Sequence, residues 1–302
     1  MSIQRVVIYA GHITTKVLGP YPYNIAKRVN MFKALNTFRK KLGESPWQIQ
    51  TVPGEELICE LKKAPFDQTL LVLPAGQSTN LDKVFKTAQY RFLIDSFFNE
   101  GGMGYLNCGS AYWASKVRVY DDVCLEQPSQ PKRLIKTSHI PLFDGEARGP
   151  LCPFPAAEYH VGFFSDAVRL VHESEKECTV FLSGGGHFIP RKDSNQTIEV
   201  VARYHPEDLE RLGRPQSNSI AAIVAKVGSG AALMSMYHPY YGARDIDVDR
   251  YEEAFPGCGT NWRRVNAKLS SEEERVSMMH NALKKLMRMA AAPRDVSFSN
   301  VL

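Results

Sequence analysis

The strongest constraint on the fold is an alternation of short apolar runs with segments of helical periodicity in the first third of the chain. Val6–Ala10 and Thr69–Leu73 are nearly continuous apolar runs, and each ends at a turn that contains glycine or proline. Between them, Asn24–Leu42 places apolar residues three and four positions apart. Such runs are typical of parallel strands buried on both faces, and such spacing is typical of amphipathic helices. The alternation predicts βαβ units around a parallel sheet.

Later segments extend this pattern. Trp47–Val52 is predicted as a short strand, and Leu81–Asn99 returns to helical spacing. Ile220–Val227 and Ala231–Tyr237 form a hairpin candidate around a Gly-Ser-Gly turn. A capping-box pattern at Ser270-Ser271, followed by three glutamates and a long apolar stripe, predicts a C-terminal helix that packs on the core.

The middle of the chain, about residues 117–215, is rich in proline and in short β-branched pieces. No polar linker separates it from the rest, so we expect antiparallel additions and loops on the same domain. The predicted organisation is one domain over residues 1–260, with these β-rich insertions. A C-terminal helix and tail, residues 261–302, would pack on it, and we expect residues 294–302 to fray.

Composition excludes several classes of function. A formal charge of +5 with scattered Lys and Arg gives no support for nucleic-acid binding. No apolar run is long enough to span a bilayer, and the N-terminus leads into a strand rather than a signal peptide. The 6 cysteines form no CxxC pair and no zinc-module spacing. We therefore expect a cytoplasmic protein with free thiols and neither metal nor cofactor.

Gly101–Ser115 carries the candidate chemistry. An apolar segment runs into Cys108, Gly109 follows at once, and small residues that can begin a helix come next. This is the layout of a nucleophile elbow, a sharp strand-to-helix turn that holds a side chain above a sheet. The helix dipole would lower the pKa of a thiol placed there. Cysteine is also among the residue types most often buried, so a core position fits the same segment.

A nucleophilic cysteine needs a base, and sites in open α/β sheets lie beyond the carboxyl ends of the strands. His238 is the first candidate base because it follows the second strand of the predicted hairpin. His187, in a glycine-rich turn, is second and His12 is third. The backbone N–H groups of Gly109 and of the loop around Gly76 would form an oxyanion hole.

An ordered series of segments across about residues 5–245 carries a family resemblance. The segments are Leu73–Gln77, Gly101–Tyr112, Gly145–Pro150, Phe181–Phe188, Val200–Tyr204 and Val227–Pro239. The series resembles the class I glutamine amidotransferase-like superfamily, and more closely the domain at the N-terminus of eukaryotic-type biotin–protein ligases.

The resemblance implies a flavodoxin-like α/β fold, a mostly parallel sheet flanked by helices, with β-rich insertions and a C-terminal helical extension. It also implies that Cys108 is the nucleophile and His238 its base. Tyr112 and Arg148 are pocket residues by resemblance alone. Further pocket candidates, from loops of the same series, are Gln77, Gly185, His187 and Tyr240.

Three positions depart from the family pattern. Leu106 and Ser110 stand where the elbow normally has glycine, and Tyr240 stands where a glutamate follows His-Pro. A Cβ at the crowded turn is expected to strain or reshape it. An imidazole without a carboxylate partner loses orientation, although Asp245 or Asp247 would supply one if the loop folds back.

These observations favour a cysteine-dependent hydrolase or amidotransferase-like protein that acts on a small-molecule or peptide-like amide or ester. A binding or regulatory module that kept the fold and lost the chemistry is nearly as well supported. A peptidase of related fold is a weaker alternative. The chain lacks a Gly-Arg-Gly-Arg-type segment, so we do not expect it to be a biotin ligase itself. Whether a protein partner acts with it in trans stays open.

Overall fold

The computed structural model describes residues 2–11, 25–73, 78–122, 132–152, 165–172, 176–254, 256–257 and 259–293. The helices are α1 (Ile25–Lys41), α2 (Leu57–Leu61), α3 (Ser78–Phe85), α4 (Ala88–Asn99), α5 (Gly109–Ala114), α6 (Pro206–Arg211), α7 (Val248–Ala254), α8 (Gly259–Asn266) and α9 (Glu272–Ala291). The strands are β1 (Arg5–Tyr9), β2 (Gln48–Val52), β3 (Thr69–Leu73), β4 (Met103–Asn107), β5 (Ser115–Asp122), β6 (Lys132–Thr137), β7 (Phe143–Gly149), β8 (Ser165–His172), β9 (Glu177–Ser183), β10 (His187–Pro190), β11 (Ile198–Tyr204), β12 (Ile220–Val227) and β13 (Gly230–Ser235).

The main sheet has nine strands in the order β2-β1-β3-β4-β13-β12-β11-β8-β9. Strands β2, β1, β3, β4 and β13 run parallel to their neighbours, whereas β13, β12, β11, β8 and β9 pair antiparallel. The predicted α/β fold is therefore confirmed, with a parallel half and an antiparallel half that share β13.

Apolar side chains cover both faces of the parallel half. Along β1, Val6 and Ile8 belong to the core layer shared with α1 and α9, and Val7 belongs to the opposite layer shared with α4 and α5. At the end of β4, Tyr105 and Leu106 divide between the same two layers. Two-sided burial explains why these strands read as continuous apolar runs in the sequence.

A second sheet, in the order β10-β7-β5-β6, follows directly from the short helix α5. Strands β5 and β6 pair antiparallel, as do β7 and β10, and β5 and β7 run parallel. The β-rich middle of the chain thus contributes to both sheets, because β8, β9 and β11 extend the main sheet. The division of the chain at residue 260 stays a prediction.

The segment predicted as one helix over Leu81–Asn99 is two helices, α3 and α4. Thr87 separates them with extended backbone angles of φ −69° and ψ 146°. Threonine is favoured at the residue before a helix and loses side-chain freedom inside one, which fits this break. None of the helices in the described ranges has the length and hydropathy of a bilayer-spanning segment.

Helix α9 is fixed at both ends. Ser271 and Glu274 form the predicted capping box, in which the Ser271 hydroxyl accepts from the Glu274 N–H and the Glu274 carboxylate accepts from the Ser271 N–H. At the other end, the Lys226 ammonium of β12 lies 2.8–3.1 Å from the carbonyl oxygens of Met289, Ala290 and Ala292. A cation bonded to the last carbonyls stabilises a helix end.

We expect Ser271→Ala to lower the free energy of unfolding by about 1 kcal/mol, because the first turn of α9 loses its cap. Denaturant unfolding followed by circular dichroism measures this change. Ser217→Ala is the matched control, since Ser217 is exposed on a short turn. An equal loss of stability in both variants would contradict the assignment of the cap.

Candidate active site

Cys108 occupies a strained turn between β4 and α5. Its backbone angles are φ 51° and ψ −112°, and it is the only non-glycine residue with positive φ in the described part of the chain. Such a conformation costs about 1–3 kcal/mol and persists where the surroundings impose it. Here the Cys108 N–H donates to the Ser235 carbonyl at 2.7 Å, so the end of β13 holds the turn.

Ser110, which stands where the family pattern has glycine, forms hydrogen bonds within the turn through its hydroxyl. The Asn107 N–H donates to the Ser110 hydroxyl at 2.7 Å, and this hydroxyl lies 3.1 Å from the Leu73 carbonyl. Leu106, the second departure, lies buried in the apolar layer above β3 and β4. The strained turn at Cys108 therefore accommodates a side chain at both positions.

Asn107 joins the ends of β4 and β13 through its side chain. It is fully buried, and its amide nitrogen donates to the Ser235 hydroxyl at 3.0 Å and to the Tyr237 carbonyl. Its amide oxygen accepts from the Tyr240 hydroxyl at 3.0 Å. Both amide donors are used, which fixes the orientation of the amide, and its oxygen is an acceptor toward which the Tyr240 hydroxyl directs its proton.

This arrangement favours one tautomer of His238. The His238 Nδ1 lies 2.6 Å from the Tyr240 hydroxyl oxygen, which donates its proton to Asn107. We therefore infer that Nδ1 carries the proton and donates, which leaves the lone pair on Nε2. Tyr240 thus orients the imidazole in place of the family's carboxylate. The sequence left Asp245 open for that role, but it pairs with Lys27 at 2.7 Å.

Burial makes both candidate catalytic groups neutral. It raises the pKa of the Cys108 thiol to about 11, although the Gly109 amide and the charge of Arg28 act in the opposite direction. Burial, followed by the charge of Arg28, lowers the pKa of His238 to about 3. The helix dipole was expected to lower the thiol pKa, but α5 has only 6 residues and desolvation outweighs it.

The thiol and the imidazole follow two strands that pair in the main sheet, and no hydrogen bond joins them. Asn107 and Ser235 are paired in the register of β4 with β13, so Cys108 and His238 both follow the same edge of the sheet. The His238 Nε2 is buried and has no hydrogen-bond partner among the described residues. His238 itself is held by its N–H, which donates to the Phe181 carbonyl at 2.9 Å.

Tyr112 links the elbow helix to the glycine-rich turn at residues 184–186. Its hydroxyl donates to the Gly185 carbonyl at 2.9 Å, and the Tyr204 hydroxyl donates to the Gly186 carbonyl at 2.7 Å. Gly185 has φ +64°, and a Cβ there would collide with Leu182. A Cβ on Gly186 would collide with the Tyr112 hydroxyl, so glycine at this position lets the turn approach α5.

Arg148 and His187 form a separate group on the second sheet. They face each other across β7 and β10, and Arg148 pairs with Glu146 on its own strand. Burial, followed by the charges of Arg148 and Arg214, lowers the pKa of His187 to about 4. Within the described residues, no hydrogen bond connects Arg148 or His187 to Cys108, so their pocket role stays a prediction.

Other predicted positions lie outside the described residues. These are Gly76, Gln77 and His12. Among the residues that the structure describes, no group of three His, Cys, Asp or Glu side chains is arranged to hold a metal ion.

Sequence reasoning missed two residues of the site, Asn107 and Arg28. Arg28 is 2% exposed and its Nη2 donates to the Tyr240 hydroxyl at 3.0 Å. The sequence feature that could have identified Arg28 is its position on the apolar stripe of α1, three residues after Ile25 and four before Phe32. Asn107 had a similar signal, a polar residue that closes an apolar strand.

The sequence model of the family described as "Biotin-protein ligase, N terminal" matches residues 25–299. The chain therefore belongs to this family, and the resemblance seen in its motifs is confirmed. No curated protein matches the chain in sequence.

Several solved structures share parts of the topology. A glutamine amidotransferase is 18% identical with a TM-score of 0.41, covering 70% of this chain and 85% of that one. A putative ThuA-like protein from Bacteroides uniformis is 11% identical with a TM-score of 0.45, covering 96% and 92%. A cytoplasmic protein from Salmonella typhimurium is 10% identical with a TM-score of 0.39, covering 90% and 100%. Likeness at this level carries no information about activity.

The buried, neutral His238 should make stability depend on pH. Its pKa is about 3 in the folded chain and about 6.5 when unfolded, so between these values only the unfolded chain binds the proton. The stabilisation is complete above the unfolded pKa and falls as the pH drops toward 3, by at most about 1.4 kcal/mol per pH unit.

We therefore expect the difference in free energy of unfolding between wild type and His238→Gln to shrink from pH 7 to pH 4. Urea unfolding at a series of pH values measures it. His139→Gln is the control because that imidazole is exposed in the folded chain. A difference that stays constant over this range would contradict the buried, neutral state.

Tyr240→Phe tests the tautomer. Without the hydroxyl, the His238 Nδ1, the Asn107 oxygen and the Arg28 Nη2 lose a shared partner, so we expect a loss of about 1–3 kcal/mol in stability. The ¹⁵N chemical shifts of the His238 ring should show a protonated Nδ1 in wild type and a mixture of tautomers in the variant. Tyr241→Phe is the control, since the Tyr241 ring packs edge-on against the same imidazole. A wild-type ring protonated on Nε2 would contradict the assignment.

Proposed function

We propose that this chain is a cysteine-dependent hydrolase or amidotransferase-like enzyme that acts on an amide or ester through Cys108 and His238. The observation that carries the proposal is the positive φ of Cys108, a non-glycine residue held in a strained turn at the carboxyl edge of β4. Strain of this kind is maintained at functional sites more readily than in a plain core. The family assignment and the α/β fold are compatible with this chemistry.

The first step would form a thioester. As Sγ of Cys108 bonds to the substrate's carbonyl carbon, the thiol proton moves to Nε2 of His238, the ring nitrogen that carries the lone pair. The Gly109 N–H, together with that of Gly76, would stabilise the oxygen as it gains negative charge. The bond to the leaving group then breaks, and the imidazolium gives that group its proton.

A water molecule would complete the reaction. Nε2 takes a proton from the water as its oxygen attacks the thioester carbon, and the proton returns to Sγ as the acid leaves. His238 stays oriented throughout because the Tyr240 hydroxyl accepts from its Nδ1. The sulfur and Nε2 must come together on substrate binding, as catalytic hydrogen bonds in unliganded sites often do.

We further infer that the substrate is a small molecule or a peptide-like compound, and that the protein acts in the cytoplasm. Cys108 is partly exposed at the sheet edge, which is the side from which a substrate would approach the sulfur. An amidotransferase activity would also be compatible with a partner protein that acts in trans.

The second candidate function is a binding or regulatory module without turnover. Two observations favour it: the raised pKa of the Cys108 thiol, and the absence of a hydrogen bond to His238 Nε2 in the described residues. An inert module of this kind would use the same edge of the sheet to hold a ligand without transferring an acyl group.

An activated ester separates the two candidates. With p-nitrophenyl acetate, the proposed enzyme should release a burst of p-nitrophenolate, and intact mass and peptide mapping should find one acetyl group on Cys108. His238→Gln should slow this acylation about 100-fold or more, because general-base assistance is lost. Cys108→Ser should abolish the thioester.

Cys59→Ser is the matched control, since Cys59 is an exposed free cysteine on α2. This variant should keep the full burst. Circular dichroism and the unfolding midpoint show whether the His238 variant is folded at the assay temperature. Equal rates in wild type and a folded His238→Gln, or acetylation spread over surface residues, would favour the inert module.

A further inference from the structure

Arg28 is a buried cation with unused hydrogen-bond donors. Only Nη2 of its guanidinium is engaged, with the Tyr240 hydroxyl, and its Cζ lies 4.8 Å from the centroid of the Tyr240 ring. Nε and Nη1 are buried and have no hydrogen-bond partner among the described residues. No carboxylate of the described residues pairs with this side chain, which is only 2% exposed.

The guanidinium borders the candidate site rather than an isolated part of the core. The hydroxyl it bonds, that of Tyr240, also contacts His238 and Asn107, the residue before Cys108. Its charge also acts on both catalytic candidates, since it opposes ionisation of His238 and favours ionisation of Cys108.

Removing a cation from water without a counter-ion is costly, and native proteins almost always pair such groups. The planar guanidinium presents neighbouring N–H donors that match the two oxygens of a carboxylate. Cys108 follows Asn107, which shares the Tyr240 hydroxyl with Arg28, and it is partly exposed, which gives a ligand a route to this edge of the sheet. An anion bound here would supply the charge that the described residues do not.

We propose that Arg28 provides an anion subsite at this edge of the sheet, in which its unused N–H donors bind a carboxylate group of the substrate. The amide or ester that reaches the sulfur would then carry a negative charge close to its reacting carbonyl. The assignment of this anion to a substrate rests on the proposed function, whereas the anion subsite itself does not.

A competing role for Arg28 is that of counter-ion to a Cys108 thiolate. Two alkylating reagents of the same size distinguish the roles, because iodoacetate carries a carboxylate and iodoacetamide is neutral. Both react with the same thiolate, so the ratio of their rate constants cancels the fraction of thiolate present. A counter-ion would change both rates together, and an anion subsite would change the ratio.

The experiment measures both rate constants at Cys108 and at Cys59 by peptide mass spectrometry, at fixed pH and ionic strength. Cys59 corrects for the reagents' intrinsic reactivity and the protein's net positive charge. We expect the iodoacetate-to-iodoacetamide ratio to be about tenfold or more higher at Cys108, as charge-assisted hydrogen bonds produce. Arg28→Met should lower it to the Cys59 value, and Arg28→Lys should retain part of it. Equal ratios at the two cysteines of wild type would overturn the proposal.

A second measurement needs no variant, which matters because Arg28→Met removes a buried contact. Sodium propionate should slow the reaction of iodoacetamide with Cys108 in wild type and leave Cys59 unaffected. Sodium chloride at equal ionic strength is the control. Protection of both cysteines alike, or of neither, would contradict an anion subsite.

These readouts are independent of turnover. If p-nitrophenyl acetate gives no Cys108 thioester but the iodoacetate preference depends on Arg28, the proposed function fails and the anion subsite stands. If acylation occurs but the iodoacetate-to-iodoacetamide ratios at the two cysteines are equal, the proposed enzyme activity is supported and the anion subsite is excluded.

Discussion

The parallel pairing of β4 with β13 is the contact on which the rest of this structure depends. It joins two segments more than 120 residues apart in the chain, and it is where the parallel half of the sheet meets the antiparallel half. The pairing brings the Ser235 carbonyl to the N–H of Cys108, which holds the strained turn. It also brings Tyr240 and His238 to the side chain of Asn107. The register of β4 with β13 therefore positions both the Cys108 turn and the His238 imidazole.

The candidate site is organised by hydrogen bonds around one hydroxyl rather than by ion pairs, and one of the donors is the charged Arg28. The Tyr240 hydroxyl accepts from His238 and from Arg28 and donates to Asn107, so one oxygen sets the direction of three side chains. Inside a low-dielectric environment such bonds are strong, and each group left unsatisfied is costly. The result is a thiol and an imidazole that are both uncharged at neutral pH. A reaction at this site would begin with proton transfer from thiol to imidazole and not from a preformed thiolate.

The sequence was sufficient to predict the helices and strands that have strong apolar periodicity. The strands β1, β3 and β4 and the capped helix α9 follow from apolar runs and end signals, and these patterns reflect burial that the fold requires. The break at Thr87 was not predicted because apolar spacing continues across it. Likewise, the proline-rich middle of the chain gave no sign that β8, β9 and β11 would extend the main sheet, since strand pairing is a long-range property.

For the site, sequence motifs pointed to Cys108 and His238 but not to the hydrogen bonds around them. Serine for glycine at 110 suggested strain, and the turn at Cys108 is strained, with the Ser110 hydroxyl bonded to the Asn107 N–H. Tyrosine for glutamate at 240 suggested a loss of orientation, yet the Tyr240 hydroxyl lies 2.6 Å from His238 Nδ1. Neither outcome could be read from residue types, because both depend on where a single oxygen lies in three dimensions.

The Lys226 ammonium has a consequence for what a single substitution would remove. It contacts carbonyls at the end of α9 and also the Ser229 carbonyl, 3.1 Å away in the turn between β12 and β13. One cation therefore satisfies the last turn of the helix and the tip of the hairpin together. Replacing Lys226 by a neutral residue would leave both sets of carbonyls without this partner, on the hairpin whose second strand holds the Cys108 turn.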